Sequence, residues 1–373
     1  MTRLRPTWVE VDLEAIEHNV RALSFDGVEV MAVVKADGYG HGDVAVARAA
    51  LTAGASWLGV ALVEEGLGLR AAGIEAPILV LSELPRGSEV AAVAAALTPT
   101  LATPAALERL AAVAADQPAP LGVHVKIDSG MHRVGVWPPE EAVGLVDLVA
   151  RSGLELEALW THLACADTDE VTTKEQLERF AGAVDAIGAA GHRASFLHAA
   201  NTAGAIAHPD ARFDLIRPGI GIYGVEPVPG LGSSLGLRPA LSWRSAVSAV
   251  RRLRAGAKVS YGHRYAVAHD AWVATVPVGY ADGYPRAGSS RTDVLIGGRR
   301  CRVAGSVTMD QLVVDCGDVE PSLDDEVVLL GSQEAETVSA WELAERCDTI
   351  AYEILARVGA RAPRRYVSRG GST

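Results

Sequence analysis

The sequence predicts a (β/α)₈ barrel followed by a smaller, mostly β domain. Three observations carry this prediction. Over the first ~235 residues, short β-rich apolar runs alternate eight times with amphipathic, alanine-rich stretches, at spacings of about 20 to 40 residues. Residues able to do chemistry (Lys35, Lys126, His162, His198 and Arg217) fall at or just past the ends of the predicted strands, where a TIM-type barrel carries its site. After a stretch rich in Pro, Gly and Ser at 225–239, the alternation gives way to strands and turns. A doubly wound sheet also alternates, but the count of eight favours the barrel.

Taken in order, the predicted barrel strands lie near 28–35, 57–62, 77–82, 98–102, 121–127, 156–162, 194–198 and 212–216. Between strands the apolar spacing turns helical, as in Leu13, Ile16, Val20 and Leu23, with Asp12 placed to cap that helix. The barrel is expected over 8–235 and the mostly β domain over 236–373. In the latter, 241–250 reads as a strand, and 294–303 reads as a hairpin turning at Gly297-Gly298. Further strands are expected at 312–315 and 327–330, with a helix near 339–347.

Composition narrows the function classes. At 373 residues the chain is long for one core, which agrees with two domains. Its 49% apolar and 21% charged residues are those of a soluble globular protein. The longest run without a polar side chain, Val90–Leu97, is about eight residues, against roughly 20 needed to cross a bilayer. Arg3 and Arg5 precede Trp-Val-Glu-Val-Asp, so no signal core follows the N-terminus, and a cytoplasmic location is expected. A net charge of −12 disfavours nucleic acid and anionic membranes as partners. The four cysteines are scattered without metal spacing and read as buried thiols of a reducing compartment; no metal is expected.

The most informative segment is Val34-Lys-Ala-Asp-Gly-Tyr-Gly-His-Gly. An apolar strand desolvates the Lys35 ammonium and lowers its pKa towards the nucleophilic amine, as Schiff-base chemistry requires. The glycines that follow let backbone approach a ligand, and Tyr39 offers a hydroxyl to a phosphate. Taken alone, such a segment is more often a lysine snorkelling from a barrel rim beside a flexible turn.

Motifs further along decide between these readings. They are Lys126-Ile-Asp-Ser-Gly-Met-His-Arg-Val-Gly, Thr161-His-Leu, His198-Ala-Ala-Asn-Thr-Ala, Arg217-Pro-Gly-Ile-Gly-Ile-Tyr-Gly, Val259-Ser-Tyr-Gly, Pro277-Val-Gly-Tyr-Ala-Asp-Gly-Tyr-Pro-Arg and Thr308-Met-Asp-Gln. In order and spacing the set resembles the alanine racemases, over roughly residues 8 to 366. The resemblance implies an isomerase that interconverts L- and D-alanine with pyridoxal 5'-phosphate and supplies D-alanine for peptidoglycan.

The resemblance also implies roles. Lys35 forms the aldimine with the cofactor and serves as one base. Tyr261 is the base on the opposite face, with His162 and Arg217 supporting it through charge or hydrogen bonding. Arg217 faces the pyridine nitrogen; its pKa, above 12, prevents it from accepting the ring proton, which weakens the electron sink and suppresses transamination. Tyr39, Thr202, Tyr352 and the N–H groups of Gly219 and Ile220 hold the phosphate, and Pro218 leaves the donors to the residues after it. His198 and Asn201 sit near the ring. Arg133 and the backbone of Met309 take the substrate carboxylate, Lys126 occupies a position that is carbamylated in many relatives, and Tyr280, Tyr284 and Asp310 narrow the entrance. Tyr261 and Met309 reach the site from a second protomer, so a homodimer is implied. Thr202 and Thr308 stand where serine, and cysteine or serine, are frequent; in the first the hydroxyl is kept.

Two alternatives come from other classes. A barrel-type pyridoxal-phosphate decarboxylase would carry a triple-glycine phosphate loop and a carboxylate at the ring nitrogen; here Arg217 stands in that role. A non-enzymatic pyridoxal-phosphate-binding barrel protein would lack the β domain carrying Tyr261 and Met309.

Overall fold

The computed structural model describes residues 5–115 and 117–367; Arg3 and the last six residues of the expected C-terminal domain lie outside them. The first strand, β1 (Thr7–Asp12), precedes eight that share one sheet. These are β2 (Glu29–Val33), β3 (Trp57–Val60), β4 (Ile78–Glu83), β5 (Thr98–Leu101), β6 (Gly122–Lys126), β7 (Glu155–Trp160), β8 (Phe196–His198) and β9 (Leu215–Ile216). The order is β8-β7-β6-β5-β4-β3-β2-β9, with every neighbouring pair parallel. The ring closes between its first and last members: Asp214 N donates to Leu197 O, Arg217 N donates to Ala200 O, and Asn201 bridges Arg217.

All eight expected strands are present, and the fold is the expected barrel followed by a mostly β region. Strands covered on both faces read as continuous apolar runs, and β3 is buried at all four positions. Helices follow the strands, including Asp43–Thr52, Val63–Ala71, Pro104–Ala114, Ala142–Arg151 and Glu170–Ala189. Asp12 caps the helix Leu13–Ala22 by accepting from Ala15 N at 3.0 Å, and Ile16, Val20 and Leu23 are buried as their spacing predicts.

By its contacts the chain divides into two units. Residues 16–38 and 43–238 form the barrel unit; residues 39–42, 239 onward and the described part of 1–15 form the β unit. The sequence reading put residues 8–15 with the barrel. In the structure β1 pairs antiparallel with β10 (Leu241–Ala246) and parallel with β20 (Arg364–Val367), because its partners lie more than 200 residues away, where no local pattern points.

The β unit is built on a ten-stranded sheet. Between β10 and β20 the chain adds β11 (Ala249–Leu253), β12 (Lys258–Val259), β13 (Tyr265–Ala266), β14 (Ala271–Val276), β15 (Asp293–Ile296), β16 (Arg299–Val303), β17 (Leu312–Gly317), β18 (Glu326–Gln333) and β19 (Glu336–Val338). β12 and β13 pair only with each other. The single strand expected at 241–250 is two strands, broken at Val247-Ser248, and they join different parts of the sheet. The hairpin forms as expected: Gly297 (φ 55°) and Gly298 (φ 66°) take the left-handed turn between β15 and β16. The predicted helix appears as Ala340–Arg346, capped by Ser339.

Candidate active site

In the barrel unit the site residues gather where the strands end. Lys35 lies two residues past β2 and opens a turn of unusual hand: Ala36, Asp37, Gly38, Tyr39 and Gly40 all have φ between 51° and 80°. Left-handed geometry costs roughly 1–2 kcal/mol for each non-glycine residue, so neighbours must hold this turn in place. Gly38 N closes it on Val34 O at 2.9 Å. Glu65 clamps it: Oε1 accepts from Ala36 N at 2.7 Å, while Oε2 accepts from Ala61 N at 2.8 Å and Leu62 N at 3.1 Å. Burial and the Arg133 charge lower the Lys35 pKa, against a smaller opposing pull from Glu65, which moves the amine towards its nucleophilic form.

Lys126 ends β6 and is buried. Its Nζ lies 4.2 Å from the centroid of Trp160. Burial, reinforced by the charges of Arg217 and Arg133, brings its pKa down to about 7. The loop leading to Arg133 is organised by Asp128, whose Oδ1 accepts from Gly130, Met131 and His132 N at 2.9–3.0 Å and whose Oδ2 accepts from Arg133 N at 3.2 Å. Burial opposes the Asp128 charge, yet these N–H groups and His132 still hold its pKa below the usual carboxylate range. The exposed Arg133 guanidinium has no hydrogen-bond partner among the described residues, which leaves it available to an anion.

Arg217, one residue past β9, is almost fully enclosed. Nη1 donates to His198 Nδ1 at 2.8 Å; Nη2 donates to Thr161 O and Ala199 O, both at 2.8 Å, and approaches His162 Nδ1 at 3.4 Å. Burial pulls its pKa down to about 9, so it remains a cation at neutral pH. Burial first, and the Arg217 charge second, hold His162 and His198 well below the ordinary histidine value, so both are neutral. His162 therefore carries no charge of its own.

Beside Arg217, Thr202 Oγ1 accepts from Gly219 N at 3.0 Å and Gly221 N at 3.3 Å, and the N–H of Ile220 has no partner among the described residues. Asn201 uses Oδ1 to cap the helix Thr202–Ala207 through Gly204 N, at 2.9 Å. In the β unit, Tyr39 and Tyr352 face each other with ring centroids 6.4 Å apart, and burial followed by the neighbouring phenol raises the Tyr39 pKa.

The β unit also carries a cleft of about 500 Å³ lined by Tyr261, Tyr280, Thr308, Met309 and Asp310 among others. Tyr261 is 77% exposed and Met309 54%. The Tyr261 loop is held from both sides: Ser260, at φ 61°, donates to Ser306 O at 2.7 Å, and Ser306 Oγ donates to Tyr261 O at 2.9 Å. Tyr280 N and Ala281 N donate to Thr308 O and Met309 O at 3.0 Å each. Gly279 permits this approach, because a Cβ there would sit 2.3 Å from both carbonyl oxygens. The Met309 N–H has no partner among the described residues. Asp310 pairs with Arg361 at 2.9 Å.

One expected entrance residue is elsewhere. Tyr284 is fully buried, its hydroxyl 2.9 Å from Thr292 Oγ1 and its ring 6.0 Å from Trp243, so it packs the β core and does not line the cleft. Gly283, at φ 103°, turns the chain inward just before it. Among the described residues no cluster of His, Cys, Asp or Glu is placed to hold a metal.

The comparisons agree along the whole chain. The family described as alanine racemase, N-terminal domain, matches residues 11–227, and alanine racemase, C-terminal domain, matches residues 240–366. The chain belongs to the alanine racemase family. Among its relatives, the alanine racemase of Symbiobacterium thermophilum is 46% identical, over 99% of this chain and 98% of its own length. That of Thermobifida fusca is 42% identical, over 95% and 96%. Among solved structures, the alanine racemase of the D-cycloserine-producing Streptomyces lavendulae superposes with a TM-score of 0.93 at 38% identity, covering 100% of this chain and 98% of that one. The Bacillus anthracis alanine racemase with bound L-Ala-P gives 0.92 at 35% identity, covering 100% and 97%.

Two residues that shape this family site were not singled out in the sequence. Glu65 and Asp128 act on backbone N–H groups in loops, and only their carboxylate character next to a predicted strand end hinted at them. Replacing Glu65 by Ala removes the acceptor for three N–H groups and releases the Lys35 turn. Hydrogen bonds to a charged group are worth about 1.5–3 kcal/mol, so Glu65→Ala is expected to lower the melting temperature and kcat together, with Glu65→Gln in between because it keeps one acceptor oxygen. Calorimetry with steady-state kinetics measures both; an unchanged kcat would remove Glu65 from any role at Lys35.

Proposed function

We infer that this protein is an alanine racemase, a pyridoxal-phosphate-dependent isomerase that interconverts L- and D-alanine and supplies D-alanine for peptidoglycan. The observation that carries this reading within the family is Arg217, a buried guanidinium with no carboxylate in ion-pair range among the described residues. At a ring nitrogen it can donate a hydrogen bond but cannot accept the proton. This speaks against a decarboxylase, in which a carboxylate would stand there.

The residues present fit the cofactor. A phosphate would find the unpartnered Ile220 N–H beside Gly219 and Thr202; the phenols Tyr39 and Tyr352 are assigned to the phosphate by the family resemblance alone. The depressed Lys35 amine would hold the cofactor's aldehyde carbon. When bound, pyridoxal phosphate supplies an electron sink that acidifies the alanine Cα proton.

Proton transfer falls to the chain itself. Lys35 serves one face of Cα and Tyr261 the other, because a single base would return the proton to the side it left. Arg133 and the Met309 N–H take the substrate carboxylate. The exposure of Tyr261 and Met309 supports a homodimer in which each chain lends them to a second copy's site. Tyr280 and Asp310 would line the entrance. Among the described residues no helix is long and apolar enough to cross a membrane.

Lys126 is proposed to be carbamylated. A pKa brought down to about 7 leaves much of its amine neutral near pH 7, and a neutral amine adds to CO₂ with formation of an N–C bond and release of one proton. The sign follows: below about pH 7 the amine is protonated and the modification is lost, and above that pH it forms. Mass spectrometry under native conditions is expected to find a CO₂ adduct on Lys126 that disappears on acidification and is absent from Lys126→Ala.

The overall reading is tested with L-alanine in heavy water and the cofactor-loaded protein. D-Alanine carrying deuterium at Cα is expected. Deuterium with retained configuration would overturn the assignment of Tyr261, and no exchange at all would overturn alanine as substrate.

A further inference from the structure

Arg217 carries a positive charge into the barrel interior, and among the described residues no carboxylate touches it. A carboxylate does lie at the end of a chain of side chains that begins at Arg217. Arg217 Nη1 is 2.8 Å from His198 Nδ1, His198 Nε2 is 3.1 Å from His124 Nδ1, and His124 Nε2 is 3.3 Å from Glu157 Oε2. His124 and His198 are fully buried, and the Glu157 side chain is 27% exposed. The chain thus runs from the strand ends, where Arg217 sits, back along β6 and β7 to a carboxylate at the solvent.

Its direction is fixed by chemistry. Arginine only donates, so His198 Nδ1 must accept and its proton must sit on Nε2. That N–H then donates to His124 Nδ1, which places the His124 proton on Nε2, facing Glu157. The first two links are hydrogen bonds that give each ring a single permitted tautomer, while the last is a 3.3 Å approach of His124 Nε2 to the carboxylate whose geometry falls short of a full hydrogen bond.

Two local features are built around this arrangement. Glu157 is the extra residue of a β-bulge in β7: Val123 pairs with Leu156 but His124 pairs with Ala158. Bulges are rare between parallel strands and re-aim side chains near sites. Gly122 also leaves room for the carboxylate, since a Cβ there would lie 2.8 Å from Glu157 Oε2. The stacking of Trp160 on His198 (centroids 5.4 Å apart, planes at 12°) fixes the middle of the chain.

We propose that Glu157 is a remote positioning residue of Arg217, acting through His124 and His198, each locked as its Nε2–H tautomer. Three of the five Arg217 N–H groups are committed to His198, Thr161 O and Ala199 O. The chain holds the guanidinium in place and leaves two N–H groups uncommitted to these three partners. This consequence rests on the racemase reading, whereas the tautomers do not, so the two can fail separately.

The test is nitrogen NMR of the holoenzyme with isotopically labelled histidine, in wild type, Glu157→Gln and Glu157→Leu. In wild type both buried rings are expected to show a protonated Nε2 and a bare Nδ1, unchanged from about pH 5 to about pH 8, the range in which an ordinary histidine titrates. Glu157→Gln keeps an acceptor and should keep both tautomers. Glu157→Leu removes the acceptor and should alter the signals of His198, two links away, with kcat falling about 10-fold at little change in KM, the size of loss seen when an outer hydrogen-bond partner of a ligating histidine is removed. A protonated Nδ1 or a charged ring in wild type overturns the proposal. So does an unchanged His198 signal in Glu157→Leu. If the Leu variant does not fold, the wild-type tautomers and the Gln variant still decide.

Discussion

Replacing Tyr261 by Phe is expected to cut racemisation by about 10²–10⁴-fold, the usual contribution of a positioned acid or base, while leaving α-proton exchange intact for one alanine enantiomer. The change removes a single hydroxyl from a side chain that is 77% exposed and whose loop is tied by Ser260 and Ser306, so folding and melting temperature should be unaffected. The selectivity comes from having two bases on two faces: with Tyr261 silent, Lys35 still removes and returns the proton on its own side. A free tyrosine titrates near ~10, so Tyr261 needs help to act near neutrality. His162 is suited to give it. Arg217 Nη2, already bonded to Thr161 O and Ala199 O, lies 3.4 Å from His162 Nδ1, and the His162 tautomer protonated on Nε2 is the one that could donate to a phenolate. Because burial keeps His162 neutral, this help is a hydrogen bond backed by the Arg217 charge. Exchange measured separately from L- and D-alanine in heavy water decides the matter. Equal losses from both enantiomers would show that Tyr261 does not serve one face alone.

How much of this was legible in the sequence depended on whether the cause is local. Barrel strands are buried on both faces, so each appears as an apolar run, and the residue just after the run is a strand end. For that reason Lys35, Lys126, His162, His198 and Arg217 could be placed before any coordinates. Non-local causes left no trace. β1 reads like the start of a barrel but pairs with strands from the far end of the chain. Tyr284 sits four residues from Tyr280, and only the inward turn at Gly283 separates a buried ring from one that lines the cleft. Glu65 reaches a backbone N–H 29 residues away, and Glu157 meets His124 only because a bulge turns it. The three glycines after Lys35 did signal an unusual turn, yet Ala36, Asp37 and Tyr39 share its left-handed geometry without being glycine.

Lys35→Ala is expected to abolish turnover, by at least about 10⁴-fold, and to differ from Tyr261→Phe in kind as well as size. With the amine gone, nothing holds the cofactor covalently, and α-proton exchange should vanish from both enantiomers. Borohydride treatment, which fixes an amine-held cofactor to the wild-type chain, should leave none on the variant. Stability separates this loss from misfolding, and its sign can be worked out. The Lys35 pKa is lowered in the folded state from its ordinary value of 10.5, so folding disfavours the proton; the cost is full below the lowered value and fades as pH rises from there to 10.5. Removing the group relieves that cost. The left-handed turn does not depend on the side chain, since its closing bonds are made by Gly38 N to Val34 O and by Glu65 to Ala36 N. The cofactor-free variant should therefore melt no lower than cofactor-free wild type near neutral pH. A marked drop would mean that the side chain supports the fold, and a cofactor still fixed by borohydride would move the covalent site to another lysine, with the buried Lys126 amine the first to examine.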